Sequence, residues 1–247
     1  MALKGLVLAG GMGTRLHPLT RVTNKHLLPI YDEPMVYYPI RCLVEAGVRD
    51  IMVVTGGESA GHFLQLLGNG DAFGLEHLEY GYQKGAGGIA EALGLTRYFV
   101  GKDDVVVILG DNILEKPVAG AVDRYRRQGH GARILLKRVP DPGRFGVAEV
   151  DAAGKVLGIV EKPKQPKSDL AVIGVYMYDN HVFEIVDGLK RSARGELEIT
   201  DVNNAYLARG ELHAEEIEGW WTDAGTFESL HQANRLVHAQ RIARPRG

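Results

Sequence analysis

The sequence contains one cysteine, Cys42, among 247 residues, which excludes an intramolecular disulfide and a metal cluster built on cysteines. Cys42 lies in an apolar stretch, so we expect a buried, unreactive thiol and not a nucleophile. Long apolar runs are also lacking, since the longest, residues 105–109, is far shorter than the roughly 20 residues that span a bilayer. The first apolar run, residues 6–9, leads directly into glycines and does not resemble a signal peptide. These features predict a cytoplasmic protein with no membrane partner.

An excess of either charge is absent as well. The chain has 29 Lys and Arg residues against 31 Asp and Glu residues, which gives a net charge of −2. Nucleic acids and anionic membranes favour a basic surface, so neither is expected as the main partner. An anionic ligand would therefore need donors placed locally around it. The nine histidines are scattered without metal-ligand spacing, and we assign none of them to catalysis or metal binding.

Short β-branched segments alternate with helical patterns over the first two-thirds of the chain. The predicted strands are residues 5–8, 51–55, 75–82 and 105–109, and the predicted helices are 35–46, 59–67, 89–99 and 118–127. This alternation is typical of a parallel sheet with right-handed crossovers. The unbroken apolar run 105–109 predicts a central strand that is covered on both faces.

The pattern changes after about residue 132, where strand-like segments follow one another closely. They are residues 133–139, 146–150, 156–161 and 172–178, and the turn Asp151-Ala152-Ala153-Gly154 predicts a hairpin. This part should be antiparallel or mixed. We therefore expect one α/β domain over residues 1–247. It should have a Rossmann-like, mixed but largely parallel central sheet flanked by helices, a smaller antiparallel lobe, and a polar helical end at residues 237–247.

A glycine-rich loop, Gly10-Gly11-Met12-Gly13-Thr14-Arg15, follows the first predicted strand. Open α/β sheets bind ligands at strand ends, and glycines let backbone N–H groups approach a phosphate. The loop is not a dinucleotide fingerprint, because Leu16 stands where the third glycine is required. It is not a P-loop either, because Thr14-Arg15 follows the last glycine where that motif has Lys and Ser or Thr. A plain glycine-rich turn remains the alternative.

Two cations favour the phosphate interpretation of this loop. The guanidinium of Arg15 is always charged and can bind phosphate oxygens in bidentate fashion. Lys25 follows ten residues later and supplies a second positive charge. Two cations beside a glycine-rich loop are typical of a triphosphate site.

Several ordered segments of the chain resemble a known enzyme family. The opening segments are residues 8–20 (LAGGMGTRLHPLT), 24–29 (NKHLLP) and 34–40 (PMVYYPI). The later segments are residues 110–112 (GDN), 144–147 (RFGV), 161–163 (EKP), 194–201 (RGELEITD) and 221–226 (WTDAGT). Together they resemble the bacterial sugar-1-phosphate nucleotidyltransferases, and within that family most closely the glucose-1-phosphate thymidylyltransferase branch in a short form. The resemblance implies a homo-oligomer that uses Mg²⁺ to transfer a nucleoside monophosphate from dTTP to glucose 1-phosphate. It also implies a nucleotide-binding part at about 1–131 and a sugar-phosphate-binding part at about 132–236.

The same resemblance implies the site residues. Those for the nucleotide are Leu8, Gly10, Gly11, Gly13, Thr14, Arg15, Gln83, Gly88 and Asp111. Those for the sugar phosphate are Gly146, Glu161, Lys162, Val172, Tyr176 and Arg194. The metal ligands would be Asp111 and Asp223, and the catalytic cations Arg15, Lys25 and Lys162.

Other interpretations of these residues stay open at the level of sequence. Asp111 before Asn112 is a common turn former, and the glycines at 85–88 are typical of a flexible turn. Tyr176 lies on an apolar strand and is compatible with a simple core role, and Glu91 stands where the family usually has Gln. UTP is the alternative donor, because it differs from dTTP at the base by one methyl, worth about 0.8 kcal/mol when buried. A catalytically silent relative is a further alternative, although this chain keeps Arg15 and both aspartates.

Overall fold

The computed structural model describes residues 2–243, so the end of the helix predicted at 237–247 lies outside the described residues. The strands are β1 (Leu3–Ala9), β2 (Pro29–Ile30), β3 (Glu33–Pro34), β4 (Asp50–Gly56), β5 (His77–Gln83), β6 (Asp104–Leu109), β7 (Asn112–Leu114), β8 (Ala132–Arg138), β9 (Gly146–Val150), β10 (Val156–Glu161), β11 (Leu170–Tyr178), β12 (Leu212–Glu216) and β13 (Trp221–Asp223). The helices are α1 (Tyr37–Glu45), α2 (Ala60–Leu67), α3 (Ile89–Gly94), α4 (Arg97–Val100), α5 (Ala119–Gln128), α6 (Val182–Gly188), α7 (Ile199–Ala208) and α8 (Phe227–Ala243).

A nine-stranded sheet has the order β10-β9-β11-β6-β1-β4-β5, with β8 paired to both β11 and β12. The pairs β4–β5 and β8–β12 are parallel, whereas β11 pairs antiparallel with β8 and β9, and β9 pairs antiparallel with β10. Two small antiparallel sheets, β7–β13 and β2–β3, accompany it. The predicted fold class, a mixed and largely parallel sheet flanked by helices with an antiparallel part, is confirmed.

The chain divides into two compact units. Unit 1 comprises Met1–Leu6, Gly87–Val107 and Gly120–Glu218, and unit 2 comprises Val7–Ala86, Ile108–Ala119 and Gly219–Gly247. The side chains of residues 105–108 in β6 are fully buried, as the unbroken apolar run predicted. Cys42 is also buried, and burial raises the pKa of its thiol to about 12, so the expectation of an unreactive thiol agrees with the structure.

The predicted hairpin is present in unit 1. Strands β9 and β10 have the predicted bounds, and their turn is closed by hydrogen bonds from Asp151 N–H to the Lys155 carbonyl (2.9 Å) and from Gly154 N–H to the Asp151 carbonyl (3.0 Å). Gly154 adopts a φ of 81°, which glycine tolerates without a steric penalty. The local turn residues therefore sufficed to predict this element.

The single helix predicted over residues 89–99 is wrong, because the structure has two short helices there, α3 and α4. The side-chain hydroxyl and backbone N–H of Thr96 both donate to the Leu93 carbonyl, at 2.7 and 3.0 Å. Such local side-chain bonds compete with regular helix, and Gly94 has a low helix propensity. The sequence patterns also did not predict the short strands β2, β3, β7, β12 and β13. None of the helices in residues 2–243 is both long and apolar enough to cross a membrane.

A buried polar cluster links helices and strands within unit 1. The Tyr206 hydroxyl on α7 donates to Asp179 Oδ1 at 2.7 Å, and the other oxygen of Asp179 accepts from Gly131 N–H at 2.7 Å. The aromatic rings of Tyr206 and Tyr178 stack at 5.6 Å, and Tyr178 donates to Asn203 Oδ1 at 2.6 Å. Burial, followed by the contact with Asp179, raises the pKa of Tyr206, so its hydroxyl stays protonated and donates.

We expect Tyr206→Phe to lower the free energy of unfolding by about 1–2 kcal/mol, because it removes a hydrogen bond to a buried carboxylate. Tyr98→Phe is the matched control, since the Tyr98 side chain is 98% exposed and should contribute nothing measurable. Urea unfolding followed by circular dichroism measures both variants. Equal stability of the two would contradict the proposed contribution of the Tyr206–Asp179 bond.

Candidate active site

The glycine-rich loop lies in unit 2, directly after β1. Gly11 and Gly13 have φ values of 88° and 59°, a conformation that favours glycine. Gly13 begins a short 3-10 helix, Thr14–Leu16, and its carbonyl accepts a hydrogen bond from the Thr20 hydroxyl at 2.7 Å. An added Cβ at Gly13 would lie 3.2 Å from the Cβ of Lys25, so the loop and Lys25 are neighbours.

Arg15 and the two predicted metal ligands meet at Gly225. An added Cβ at Gly225 would lie 3.2 Å from Arg15 Nη2. The same point lies 3.4 Å from Asp223 Oδ2 and 3.6 Å from Asp111 Oδ2. Asp111 follows β6, and Asp223 belongs to β13, where it pairs with Asn112 on β7. Two carboxylates and one guanidinium therefore converge on a small space that is open because residue 225 has no side chain.

Lys25 forms an ion pair with Asp111 through Nζ and Oδ2. Burial alone would raise the pKa of Asp111, but the charge of Lys25 and hydrogen bonds from Lys25 and Asn112 hold this pKa below its ordinary value. Burial lowers the pKa of His26 to about 3, and the charge of Lys25 adds to the decrease. At neutral pH the site thus contains an ionised aspartate and a neutral imidazole.

Asn24 holds the short 3-10 helix Lys25–Leu27 in place. Its Oδ1 accepts from His26 N–H at 3.0 Å and lies 2.7 Å from His26 Nδ1, while its Nδ2 donates to the Ala9 carbonyl at 3.2 Å. A side-chain oxygen that bonds the first free N–H groups of a helix is the usual N-cap arrangement. The cap therefore ties Lys25 to the end of β1.

The carboxylate pair suits a divalent cation that is completed by other oxygens. Among residues 2–243, no three His, Cys, Asp or Glu side chains gather where they could hold a metal ion by themselves. Mg²⁺ commonly binds one or two protein carboxylates and takes its remaining ligands from water and phosphate. The donor set at Asp111 and Asp223, together with the open space at Gly225, fits such an ion.

Gln83 ends β5 beside the glycine-rich loop. Its side chain is buried, and its Oε1 lies 3.3 Å from the position of an added Cβ at Gly10. An added Cβ at Gly56 would lie 3.0 Å from the Gln83 carbonyl and 3.9 Å from Gly11 N. The absence of side chains at Gly10 and Gly56 therefore permits close packing of Gln83 against the loop. Leu8 completes this region, because its carbonyl accepts from Gly110 N–H at 2.9 Å.

Gly88 lies in unit 1, at the start of α3. Its φ is 98°, and an added Cβ would overlap the carbonyl oxygen of Leu197. The Leu197 N–H donates to the Gly87 carbonyl at 2.8 Å, and the Leu197 carbonyl accepts from Ala90 N–H at 3.2 Å. Glycine at position 88 is therefore required by backbone packing, which accounts for this residue apart from any ligand.

The predicted sugar-phosphate residues that unit 1 brings together lie on three neighbouring strands. Gly146 on β9 is opposite Glu161 on β10 and Val172 on β11. The Thr200 hydroxyl donates to Glu161 Oε2 at 2.6 Å. An added Cβ at Gly146 would lie 3.2 Å from Thr200 Oγ1 and 3.5 Å from Glu161 Oε2, so glycine keeps the carboxylate accessible.

The two predicted phosphate-binding cations of unit 1 lie beside the same carboxylate. Arg194 Nη2 is 3.2 Å from Glu161 Oε1, and Lys162 Nζ is 3.5 Å from the same oxygen. Lys162 has a φ of 42°, which is uncommon outside glycine and costs backbone energy. Strained residues that persist in a fold are often functional, so this φ value is independent support for a role of Lys162.

Tyr176 is nearly fully buried, and its ring stacks on that of Tyr178 at 6.1 Å. These contacts agree with the core interpretation, and its role in sugar binding stays a prediction. Residue types alone did not predict Asn24, Thr200, Glu198 and Gly225. All four lie within segments that resemble the family, so their positions in NKHLLP, RGELEITD and WTDAGT were the available signal.

Comparison with known proteins adds to this geometry. The family described as nucleotidyl transferase matches residues 4–240. A glucose-1-phosphate thymidylyltransferase of Neisseria gonorrhoeae is 47% identical over 238 residues, which are 95% of this chain and 82% of that relative. A Bacillus anthracis structure, provisionally named a glucose-1-phosphate thymidylyltransferase and solved with a sucrose, has a TM-score of 0.91 at 52% identity and 95% coverage of each chain. A UDP-glucose pyrophosphorylase solved with UDP-glucose has a TM-score of 0.86 at 25% identity, covering 98% of this chain and 100% of the other.

We expect Gly225→Ala to weaken the binding of a divalent cation by about tenfold or more, because the added methyl enters the space shared by Asp111 and Asp223. Gly61→Ala is the control, since nothing outside its own helix and chain neighbours lies within 4 Å of an added Cβ there. Titration with Mn²⁺, followed by electron paramagnetic resonance, measures the affinity of both variants. Unchanged Mn²⁺ affinity in Gly225→Ala would rule out a cation at this pair.

Proposed function

Because the chain belongs to the nucleotidyl transferase family, we propose that it transfers dTMP from dTTP to glucose 1-phosphate, giving dTDP-glucose and pyrophosphate. Its family uses nucleoside triphosphates and sugar phosphates as substrates, and generally a divalent metal ion. The observation that carries the proposal is the convergence of Arg15, Asp111 and Asp223 around Gly225, next to the glycine-rich loop. The identity to glucose-1-phosphate thymidylyltransferases over 95% of the chain supports the choice of substrates.

The proposed reaction needs no protein nucleophile. A phosphate oxygen of glucose 1-phosphate attacks the α-phosphorus of dTTP in line, and a new P–O bond forms. The bond between the α-phosphorus and the bridging oxygen breaks, and pyrophosphate leaves with that oxygen. Since the attacking group is already an anion, catalysis depends on positioning two anions that repel each other and on neutralising charge.

The residues of unit 2 would bind the nucleotide. Backbone N–H groups of the glycine-rich loop and the Arg15 guanidinium would hold the β- and γ-phosphates, with Lys25 as a second cation. The Gln83 amide would contact the base. Asp111 and Asp223 would hold Mg²⁺, which when bound supplies positive charge that stabilises the α-phosphate.

The residues of unit 1 would bind the acceptor. Lys162 and Arg194 would hold the phosphate of glucose 1-phosphate, and Glu161 would accept hydrogen bonds from sugar hydroxyls. The hydrogen bond from Thr200 orients one oxygen of Glu161 and leaves the other, Oε1, facing the two cations. Gly146, Val172 and Tyr176 would complete the sugar pocket, and Gly88 the contact with the base.

Four further points belong to the same proposal. Residues 1–247 act as one nucleotidyltransferase domain, with nucleotide binding at about 1–131 and sugar-phosphate binding at about 132–236. A cytoplasmic location is supported by the presence of one cysteine, which cannot form an intramolecular disulfide, because disulfides are rare in that compartment. Association into a homo-oligomer is supported by the family resemblance. A uridylyltransferase is the second candidate, since the chain shares its fold with a UDP-glucose pyrophosphorylase.

Release of pyrophosphate with Mg²⁺, measured across a panel of nucleoside triphosphates and sugar 1-phosphates, tests the reaction. We expect the highest kcat/KM with dTTP and glucose 1-phosphate, and a preference over UTP of at least about fourfold, the effect of burying one methyl. Arg15→Ala should lower kcat/KM about 10²–10³-fold, because one electrostatic donor is lost. Arg21→Ala, which removes an exposed arginine nearby, should leave it unchanged.

Two outcomes would contradict this assignment. A preference for UTP would favour the uridylyltransferase. The absence of pyrophosphate release with every pair of substrates would favour a silent nucleotide-binding relative.

Lys162→Gly should separate stability from activity. We expect the free energy of unfolding to rise by up to about 1 kcal/mol, because glycine tolerates the left-handed φ that strains lysine. The KM for glucose 1-phosphate should rise, because a phosphate-binding charge is lost. Lys164→Gly is the control, since Lys164 has no positive φ, and it should leave this KM unchanged without stabilising the protein. Denaturant unfolding and steady-state kinetics measure the two effects, and a normal KM in Lys162→Gly would remove Lys162 from the acceptor site.

A further inference from the structure

The segment 189–197, called here the arginine loop, joins α6 to the residue before α7 and carries Arg194. The loop is closed on itself by hydrogen bonds from Ser192 N–H to the Glu196 carbonyl and from Gly195 N–H to the Ser192 carbonyl, both at 2.8 Å. Arg191 forms an ion pair with Glu91 on α3. The backbone of the arginine loop is therefore held at a defined place in unit 1.

One edge of the Arg194 guanidinium binds a single carboxylate, that of Glu198. Its Nε lies 3.3 Å from Glu198 Oε1, and its Nη2 lies 2.8 Å from Glu198 Oε2. A guanidinium is planar and has its N–H groups in a fixed fork, so binding one edge sets the orientation of the whole group. The Nη1 end then points away from Glu198 and can donate to another anion.

Glu198 is itself held by the loop. Its side chain is only 11% exposed, and its Oε1 accepts from the Ser192 hydroxyl at 2.6 Å. Glu198 stands at the N-cap position of α7, but its side chain makes no capping hydrogen bond to the helix. A buried carboxylate needs partners, and Glu198 accepts hydrogen bonds from Arg194 and Ser192. A helix-capping role therefore does not explain Glu198.

Other carboxylates compete for the same guanidinium. Glu161 Oε1 lies 3.2 Å and Glu196 Oε2 lies 3.5 Å from Arg194 Nη2. Burial lowers the pKa of Arg194, but the hydrogen bond that Arg194 donates to Glu198 is the largest of the contributions that raise this pKa above its ordinary value. If Glu198 lost its charge, Arg194 would pair more strongly with Glu161 and Glu196 and would change orientation.

We propose that Glu198 is a positioning residue for the acceptor: it fixes the plane of Arg194 so that the Nη1 end of the guanidinium meets the phosphate of the sugar 1-phosphate. The inference rests on the proposed function and deepens it. Glu198 does not touch the substrate in this role. Its effect passes entirely through Arg194, and this dependence can be measured.

Glu198→Gln keeps the size of the side chain and removes its charge, and Glu196→Gln is the matched control on the same loop. We expect Glu198→Gln to raise the KM for glucose 1-phosphate about tenfold, as expected when one charge-assisted hydrogen bond is lost. The KM for dTTP should stay unchanged. Glu196→Gln should change neither constant, because Glu196 is more exposed and more distant from Arg194.

A double-mutant cycle separates positioning from a general structural role. Lysine has no planar fork, so in an Arg194→Lys background the change Glu198→Gln should add little further increase in KM. An equal effect in both backgrounds, or a parallel rise of both KM values, would overturn the inference. If Glu198→Gln does not fold, Glu198→Asp serves instead, because the shorter side chain draws the carboxylate away from the edge nitrogens of Arg194, and the same outcomes apply.

Isothermal titration of glucose 1-phosphate into each variant gives a second readout that does not depend on turnover. If the wild-type protein binds glucose 1-phosphate but catalyses no release of pyrophosphate from any nucleotide, the proposed function fails. In that case the ratio of the affinities of the wild-type protein and Glu198→Gln for glucose 1-phosphate still tests the positioning role. Equal affinities would reject the role of Glu198 whatever the activity.

Discussion

A buried carboxylate beyond the end of an apolar strand constrains much of unit 2. Asp111 follows the fully buried part of β6, and an unpaired charge in such a place would be strongly destabilising. Lys25 forms an ion pair with Asp111, and the Asn112 amide donates a hydrogen bond to it. Asn112 is in turn oriented by a 2.7 Å hydrogen bond from the Trp221 indole. The Asn24 cap that holds Lys25 reaches back to the end of β1. The interactions that stabilise the charge of Asp111 therefore connect the glycine-rich loop, β7 and β13.

In unit 1 the charges are reversed. There a cation, Arg194, is surrounded by carboxylates, and Glu198 makes the closest contact. In both units the cation that we propose for phosphate binding is held by an ion pair, which would orient it in advance and limit the entropy lost on binding. The left-handed φ of Lys162 adds a local energetic cost at the same place. Ion pairs and backbone strain thus occur at the residues that the proposed reaction would need.

The short-range pattern of the sequence predicted much of the fold. Periodicity and turn residues gave the bounds of β9, β10 and their hairpin, and the apolar run of β6 predicted its burial on both faces. The single helix predicted over residues 89–99 was wrong because the Thr96 hydroxyl bonds a backbone carbonyl, and helix periodicity does not show which hydroxyl will do so. Strand β12 was missed because its parallel pairing with β8 joins segments about 80 residues apart.

The candidate site shows the same division between sequence and tertiary structure. The sequence alone determined the glycine-rich loop, the exclusion of an intramolecular disulfide and the family, since these depend on residue types and their order. Only the tertiary structure decided that Asp111 and Asp223 meet at Gly225 and that Lys25 pairs with Asp111. Electrostatic and hydrogen-bond energies depend on distances of a few ångströms through space. Spacing along the chain does not contain those distances when folding brings distant segments together.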